Sequence, residues 1–329
     1  MNETFEVGRK TDLQQNLKVR SRTFLSQFGM LLILLIMMVV MTFLSPTFLS
    51  SENLLNIVRQ MTMNGIIAVG VTMIIITTGI DLSSGSVVAL VAVVTASAAH
   101  PGQFPLALTI FIGLGIGLMT GLINGFIIAK GRIASFIVTL GMMTAARGAA
   151  LLYSGGRPIG NLSEPFQFIG QGDLLGIPVP IIIFVVVCIV SSVLLNKTKF
   201  GNYVYAIGGN EQAAVIAGVN VDKFKILIYT YAGLLSGLAG IIVTSRIASG
   251  QPTAGLNYEL DAIAAAVIGG TSLSGGIGTI RGTVIGALII AVMNNSLDLL
   301  NVSSYWQQIV KGLIIVTAVY FDSRKNKRK

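Results

Sequence analysis

Long apolar runs, separated by short polar stretches, dominate the chain from about residue 28 onward. About 20 apolar residues are enough for one helix to cross the hydrocarbon core of a membrane, which is about 30 Å thick. The pattern therefore predicts an all-α, polytopic membrane protein with about ten transmembrane helices. The predicted spans are 28–44, 64–80, 86–99, 106–129, 134–153, 178–195, 226–244, 260–270, 283–294 and 306–321. The spans at 86–99, 260–270 and 283–294 are the weakest, because they are short and lie among Gly and Ser residues.

The composition agrees with this pattern, since 53% of the 329 residues are hydrophobic, 11% are charged and the mean hydropathy is +0.81. A soluble domain carries about 25% charged residues, so a soluble fold is excluded. The net charge of +9 does not indicate a nucleic-acid partner, because the Lys and Arg residues lie in tails and short loops. Most of them fall on one side of the predicted topology, which the positive-inside rule makes the cytoplasmic side.

The same topology predicts the domain organisation. We expect a cytoplasmic N-terminal tail at 1–27, one transmembrane domain at 28–321 and a basic cytoplasmic tail at 322–329. Both termini are therefore expected in the cytoplasm, together with the long polar loop 196–225 inside the transmembrane domain.

Four glycines in the span 106–129 follow one another at intervals of four residues. Because an α-helix has 3.6 residues per turn, they form one stripe along which another helix can approach closely. We interpret the stripe as a helix-packing surface, and a pore-lining role is the alternative. The four are Gly113, Gly117, Gly121 and Gly125.

Two short segments, 79–85 and 270–276, share the spacing Gly-x-x-Leu-Ser-x-Gly and carry polar residues between apolar spans. A membrane tolerates a break in a helix only inside protein or around a wet cavity. The polar residues are therefore candidates for a solute path or for helix breaks, and Asp81 is alternatively the cap of a helix. They are Asp81, Ser83, Ser84, Thr271, Ser272 and Ser274.

Arg147 is the most informative charge within a predicted span. It follows Ser135 by twelve residues, which places it about 18 Å into the membrane. A cation at that depth costs about 2.5–3.5 kcal/mol on insertion scales, so we expect a polar partner or water beside it. Its role is either structural, through a carboxylate or a helix C-terminus, or functional, as part of the conduit.

The chain lacks the residues that its own catalysis would need. It contains no Gly-x-x-x-x-Gly-Lys-Ser/Thr phosphate loop and no arrangement of nucleophile and base. Cys188 and His100 are the only cysteine and histidine, which excludes a zinc framework. We therefore expect no enzyme, no metal site and no cofactor in this chain, and if ATP drives it, another subunit hydrolyses the ATP.

The loop 196–225 contains a short predicted helix over 211–217. Asn210 is placed to cap its N-terminus and Gly218 to end it. Ala213 and Ala214 offer a small-residue surface, which favours docking into another protein over a plain connector.

Five segments of the chain together resemble the membrane permease of bacterial ribose ABC importers. They are Gly79–Gly85, Ala134–Met143, Ala206–Glu211, Tyr258–Ala264 and Gly269–Gly275. The resemblance implies the ten-helix fold of vitamin B12 permeases, a homodimer in the bacterial inner membrane and a sugar-binding protein outside it. It also implies an ATPase subunit with two fused nucleotide-binding cassettes, which would hold the ATP and Mg.

Within the predicted helix, Glu211, Ala213, Ala214 and Gly218 resemble the Glu-Ala-Ala-x-x-x-Gly signature through which ABC permeases meet their ATPase. Gln212 departs from the signature, because it adds one residue between the glutamate and the alanine pair.

The leading hypothesis is thus an ABC permease subunit for ribose, and the same class with another sugar or autoinducer-2 as cargo is the first alternative. An ion-coupled secondary transporter is the second alternative. It predicts carboxylates in the middle of the membrane, whereas Asp81, Glu259 and Asp261 lie near the ends of predicted spans.

Overall fold

The computed structural model describes residues 29–326, which form thirteen helices and one short hairpin. The predicted tail at 1–27 lies outside this part of the chain. The helices are α1 (Gly29–Leu44), α2 (Ser51–Ile76), α3 (Ser84–Ala98), α4 (Leu106–Gly131), α5 (Ser135–Ser154), α6 (Glu164–Gln171), α7 (Val179–Lys197), α8 (Lys199–Gly209), α9 (Glu211–Ile216), α10 (Val221–Ile247), α11 (Tyr258–Ile268), α12 (Ile280–Leu299) and α13 (Ser304–Asn326). The antiparallel strands β1 (Asp173–Leu174) and β2 (Ile177–Pro178) precede α7.

Each of the ten predicted spans overlaps one of these helices, and the prediction of a polytopic membrane protein is confirmed at that level. Within residues 29–326, six helices are long and apolar enough to cross a membrane, namely α2, α4, α5, α7, α10 and α12. The span 283–294 is therefore not weak, because it belongs to the 20-residue α12. In contrast, α3 and α11 have 15 and 11 residues, which gives lengths of only about 22 and 16 Å.

Two predicted boundaries are wrong. The span 64–80 covers the second half of α2, which ends at Ile76, and four residues beyond it. Helix α2 begins at Ser51, where the side chain of Ser50 accepts a hydrogen bond from the Asn53 amide. At the other end of the chain, α13 continues to Asn326, beyond the predicted span 306–321. The cytoplasmic tail 322–329 stays a prediction.

The core is built around α2 and α10. Nearly all of α2 from Met61 to Ile76 is buried, and α10 packs against α2, α3 and α4. Ile66, Met73 and Ile242 are among the side chains that are completely covered by protein. These contacts matter in a membrane because lipid is as apolar as the core, so that close packing holds the helices together.

The glycine stripe of α4 is in contact with α10, which is the packing role expected from its spacing. A Cβ atom at Gly117 would overlap the backbone of Gly233 and Gly237, and one at Gly121 would overlap the Tyr229 carbonyl group. In the same way, a Cβ atom at Gly113 would overlap the side chain of Ile241, and one at Gly125 would overlap the backbone of Ile226. The two helices approach so closely that only glycine fits along the seam.

A second close contact joins α11 to α12. A Cβ atom at Gly282 would overlap the carbonyl group of Gly269, and one at Gly286 would overlap that of Ala265. The two helices therefore form a tightly packed hairpin.

At the end of the bundle where α10 stops, α6 and the β-hairpin cover the helices. The amide of Gly170 donates to Ser245 Oγ over 2.6 Å, and Arg59 forms an ion pair of 3.3 Å with Asp173. The opposite end carries α8 and α9, and we refer to it as the α8–α9 end.

The α4–α10 seam leads to a prediction for the stability of the protein in detergent. Gly117→Ala inserts a methyl group against the backbone of α10, which should cost about 1–3 kcal/mol through overpacking. Gly115→Ala is the matched control, because no atom lies within 4 Å of the position of its Cβ. The control should be neutral or gain about 0.5–1 kcal/mol from helix propensity. Equal melting temperatures for the two variants would contradict the proposed seam.

Candidate functional site

Residues 77–83, which we call the first irregular segment, connect α2 to α3 inside the bundle. The amide of Ile80 donates to Ser135 Oγ over 3.1 Å. The carbonyl of Ile80 accepts from Tyr229 Oη over 3.2 Å and from Thr139 Oγ1 over 3.3 Å. Side chains of α5 and α10 thus supply the hydrogen bonds that a helix would otherwise provide.

Asp81 closes the turn that begins α3. Its carboxylate accepts from the amide of Ser83 over 2.8 Å and from Ser83 Oγ over 2.6 Å. Asn124 of α4 in turn donates to Ser83 Oγ over 2.9 Å. All three residues are buried. In this conformation the Asp81 carboxylate is engaged in the turn before α3, whose N-cap residue is Ser83. A role of Asp81 in a solute path stays a prediction.

The second irregular segment, residues 248–257, follows α10 and runs along α3. Gly250 lies against Ala96 in the last turn of α3, and Gly255 lies against Gly85 in its first turn. Helix α11 begins directly afterwards. Two short helices, α3 and α11, therefore start beside each other inside the protein.

Arg147 of α5 holds the second irregular segment in place. Its Nη1 atom donates to the carbonyl oxygens of Pro252 and Ala254, both over 2.8 Å, and Nη2 lies 3.5 Å from the Gly85 carbonyl. The prediction that Arg147 has a polar partner within the protein is thus confirmed. The partner is neither a carboxylate nor a helix C-terminus but backbone without regular secondary structure.

Glu259 lies beside this contact and was missed as a site residue. It is only 9% exposed, and its carboxylate occupies the space that a side chain at Gly85 would need. Within residues 29–326, Oε2 of Glu259 has no hydrogen-bond partner, and the same is true of Ser84 Oγ. Arg147 is close enough to attract the carboxylate electrostatically without forming an ion pair with it. A buried carboxylate next to two helix starts is a feature typical of functional sites in membrane proteins.

Asp261 and Lys311 form an ion pair that links α11 to α13. Lys311 Nζ lies 3.0 Å from Asp261 Oδ2, and Asn64 of α2 donates to the same oxygen over 3.4 Å. Glu259 and Asp261 stand at the start of α11, but this start lies inside the bundle. Both carboxylates are therefore buried at a helix start, and their depth in the membrane stays a prediction.

The segment 270–276 does not fold like its sequence counterpart 79–85. It forms the turn between α11 and α12, in which Gly275 and Gly276 have φ angles of +85° and +72°. Hydrogen bonds within the turn involve Ser272 twice. Its N–H donates to the Ile277 carbonyl, and its Oγ accepts from the Ser274 N–H. Thr271 is completely buried. The shared spacing thus produces a helix start in one case and a turn in the other.

The loop 196–225 contains two helices where one was predicted. Helix α8 was missed, whereas α9 begins and ends as expected. Asn210 caps α9 by accepting a hydrogen bond of 2.9 Å from the Ala213 amide, and Gly218 has a φ angle of +83°. Glu211 forms an ion pair of 2.8 Å with Lys225 at the start of α10. The loop is therefore an ordered unit fixed to α10.

The two faces of α9 differ from the expectation. Ala214 is only 4% exposed, because it packs with Ile207 and Val221 of the same chain. Ala214 therefore offers almost no surface to a partner in this conformation. Ala213 is exposed, as the predicted small-residue surface requires, and Val215 and Ile216 are exposed beside it by 56% and 88%.

A cavity of about 680 Å³ opens beside α9 at the α8–α9 end. The end of α2, the turn between α4 and α5, α9 and the start of α10 line it, with Thr78, Arg132 and Glu211 among its wall residues. The cavity separates α9 from the α4–α5 turn, and α9 packs mainly against α8 and α10.

The hydrogen bonds of Arg147 lead to a second prediction. Arg147→Leu leaves two partly buried carbonyl groups without their donor, and each should cost up to about 1–3 kcal/mol. The variant should therefore melt at a lower temperature in detergent than the parent. Arg157→Leu is the control, because Arg157 is exposed and should be replaceable without a measurable effect. If both variants melt like the parent, Arg147 does not hold the irregular segment.

The chain is similar to proteins of known class. A family model described as branched-chain amino acid transport system / permease component matches residues 53–319. The ribose import permease protein RbsC of Bacillus subtilis is 51% identical over 92% of this chain and 94% of the relative, and that of Escherichia coli K12 is 45% identical over 93% and 96%. The galactose/methyl galactoside import permease protein MglC of Escherichia coli K12 is 41% identical over 93% and 97%. No solved structure matches the chain at a significant level. The protein is a member of the family of branched-chain amino acid transport system permease components.

Proposed function

We propose that the chain is the permease subunit of an ATP-driven ABC importer that carries ribose across the bacterial inner membrane. The observation that carries the proposal is the ranking of the relatives by their sequence identity to this chain. Ribose permeases are 45–51% identical, whereas the permeases named for galactose, arabinose and xylose are 36–41% identical. Another sugar as cargo is the alternative within the same class.

The charges of the α8–α9 end support its placement in the cytoplasm. Lys197, Lys199, Lys223 and Lys225 flank the two helices, and Arg132 lies in the wall of the neighbouring cavity. Basic loops are enriched on the cytoplasmic side of membrane proteins. Under this orientation both termini lie in the cytoplasm.

The importer would consist of several subunits, of which this chain forms the membrane part. We infer a second copy of the chain, an ATPase with two fused cassettes that holds ATP and Mg, and a sugar-binding protein on the outer side. The ion-coupled alternative would have to use the buried carboxylate of Glu259, because Lys311 already neutralises that of Asp261. The similarity to import permeases favours the ABC class over it.

The exposed face of α9 is the proposed contact with the ATPase. Ile216 lies in water at the tip of a two-turn helix, and burying such a side chain contributes about 1.5–3 kcal/mol. Val215 lies next to it and lines the cavity. Asn210, Glu211 and Gly218 shape the helix, and Ala214 attaches it to α8 and α10.

The polar residues in and beside the two irregular segments are proposed to hold the backbone next to the transport path, without lining the path themselves. In this conformation Asp81, Ser83 and Arg147 are engaged with backbone and neighbouring side chains. Their proposed role is to keep the helix breaks in place while the bundle moves.

The cargo assignment predicts uptake in a reconstituted system. Proteoliposomes that contain this chain with its ATPase and a ribose-binding protein should accumulate labelled ribose only when ATP and Mg are supplied. Unlabelled ribose should compete at lower concentrations than galactose, xylose or arabinose. Accumulation that follows an ion gradient without ATP, or a preference for another sugar, would contradict the proposal.

The α9 contact predicts the effect of one substitution on assembly. Ile216→Asp places a charge in the proposed apolar contact, so the amount of ATPase that copurifies with the permease should fall by about tenfold or more. Leu175→Asp is the control, because Leu175 is 98% exposed and lies in the β-hairpin at the opposite end. Equal copurification by both variants and the parent would place the docking surface elsewhere.

A further inference from the structure

Helix α8 contacts the turn between α11 and α12 through a side-chain hydrogen bond. The hydroxyl of Tyr205 donates to the carbonyl oxygen of Gly278 over 2.7 Å. Helix α8 lies in the loop between α7 and α10, so this bond joins two parts of the chain that are 73 residues apart.

The end of α2 takes part in the same junction. The carbonyl oxygen of Ile76 accepts a hydrogen bond of 2.9 Å from the Gly276 amide. Gly208 of α8 lies so close to Ile76 that a Cβ atom would overlap this carbonyl group. Helix α8, the last turn of α2 and the α11–α12 turn therefore meet at backbone contact distance.

An unusual backbone conformation lies at this junction. Thr78 has a φ angle of +62°, in the left-handed region that β-branched residues rarely adopt. The Thr78 methyl carbon lies 2.5 Å from the position that a Cβ atom of Gly275 would take. Such conformations persist only where the surrounding structure fixes them, so the junction is a firmly held contact rather than a loose apposition of loops.

The junction leads directly to the site described above. The helices of the α11–α12 hairpin are closely packed at Gly269 and Gly282. At its far end, Glu259 lies against Gly85 at the start of α3. A displacement of α8 that moved the hairpin as a rigid body would therefore reach the place where the two short helices begin.

We propose that Tyr205 is a positioning residue that couples motion of the ATPase-bound α9 to the α11–α12 hairpin. The inference rests on the proposed function, because it takes α9 as the element that the ATPase moves. Ile216 would make the contact, α8 would carry the displacement, and the Tyr205–Gly278 hydrogen bond would pass it to the hairpin. Assembly depends on the α9 face, whereas stimulation by the sugar depends on the junction.

Tyr205→Phe tests this role in the complete complex of permease, ATPase and ribose-binding protein. The variant retains the ring and loses only the hydroxyl. We expect unchanged ATPase content and unchanged basal hydrolysis, together with a decrease of about fivefold in the stimulation by ribose-loaded binding protein, the factor that corresponds to one hydrogen bond. Ribose uptake should fall by the same factor.

Tyr203→Phe is the matched control on the same helix. The ring of Tyr203 packs against Phe224 with a centroid distance of 4.7 Å, and a phenylalanine preserves this contact. The control should keep full stimulation.

Three results would overturn the inference. Full stimulation of the Tyr205→Phe complex would show that the hydrogen bond transmits nothing, and equal losses in both variants would show a general effect on α8. Parallel losses of ATPase content, basal hydrolysis and stimulation in Tyr205→Phe would assign a structural role to the residue.

A parent complex without ribose-stimulated hydrolysis would instead refute the proposed function, and the inference with it.

Discussion

Backbone N–H and C=O groups inside a membrane must find partners within the protein, and this constraint determines the architecture around α3 and α11. Both helices are too short to cross the membrane, and each is preceded by a segment without regular secondary structure. Arg147 donates to two carbonyl groups of one segment, and Ser135 and Tyr229 bond the backbone of the other at Ile80. Because these side chains come from α5 and α10, the two long helices fix where the short ones begin.

Close packing of glycines makes this arrangement compact. The stripe on α4 brings α10 near enough for Tyr229 to reach the first irregular segment, and Gly85 leaves the space that the Glu259 carboxylate occupies. The same device joins α11 to α12, and α8 touches this hairpin through Tyr205. A transporter needs rigid units that move against one another, and the glycine contacts define such units.

Sequence patterns predicted those features that depend only on residues close to one another along the chain. Hydrophobic runs located the helices, Asn210 and Gly218 located α9, and the depth of Arg147 required a polar partner. The identity of that partner could not be predicted, because Pro252 and Ala254 are more than 100 residues away. The buried side of α9 was predicted wrongly for a related reason. Whether Ala214 faces its own chain or a partner depends on how α8 and α10 fold around it, and α8 gave too weak a signal to be recognised.

A helix can also start inside the bundle, where the burial of a polar residue cannot be read from its position at the end of an apolar run. Glu259 was missed for that reason. The most direct test of the account is an experimental structure of the protein in a lipid nanodisc, with attention to residues 248–257. We predict that this segment is irregular and lies along α3, with Arg147 Nη1 about 2.8 Å from the carbonyl oxygens of Pro252 and Ala254. A continuous helix through residues 248–268, with Arg147 facing lipid or water, would contradict it.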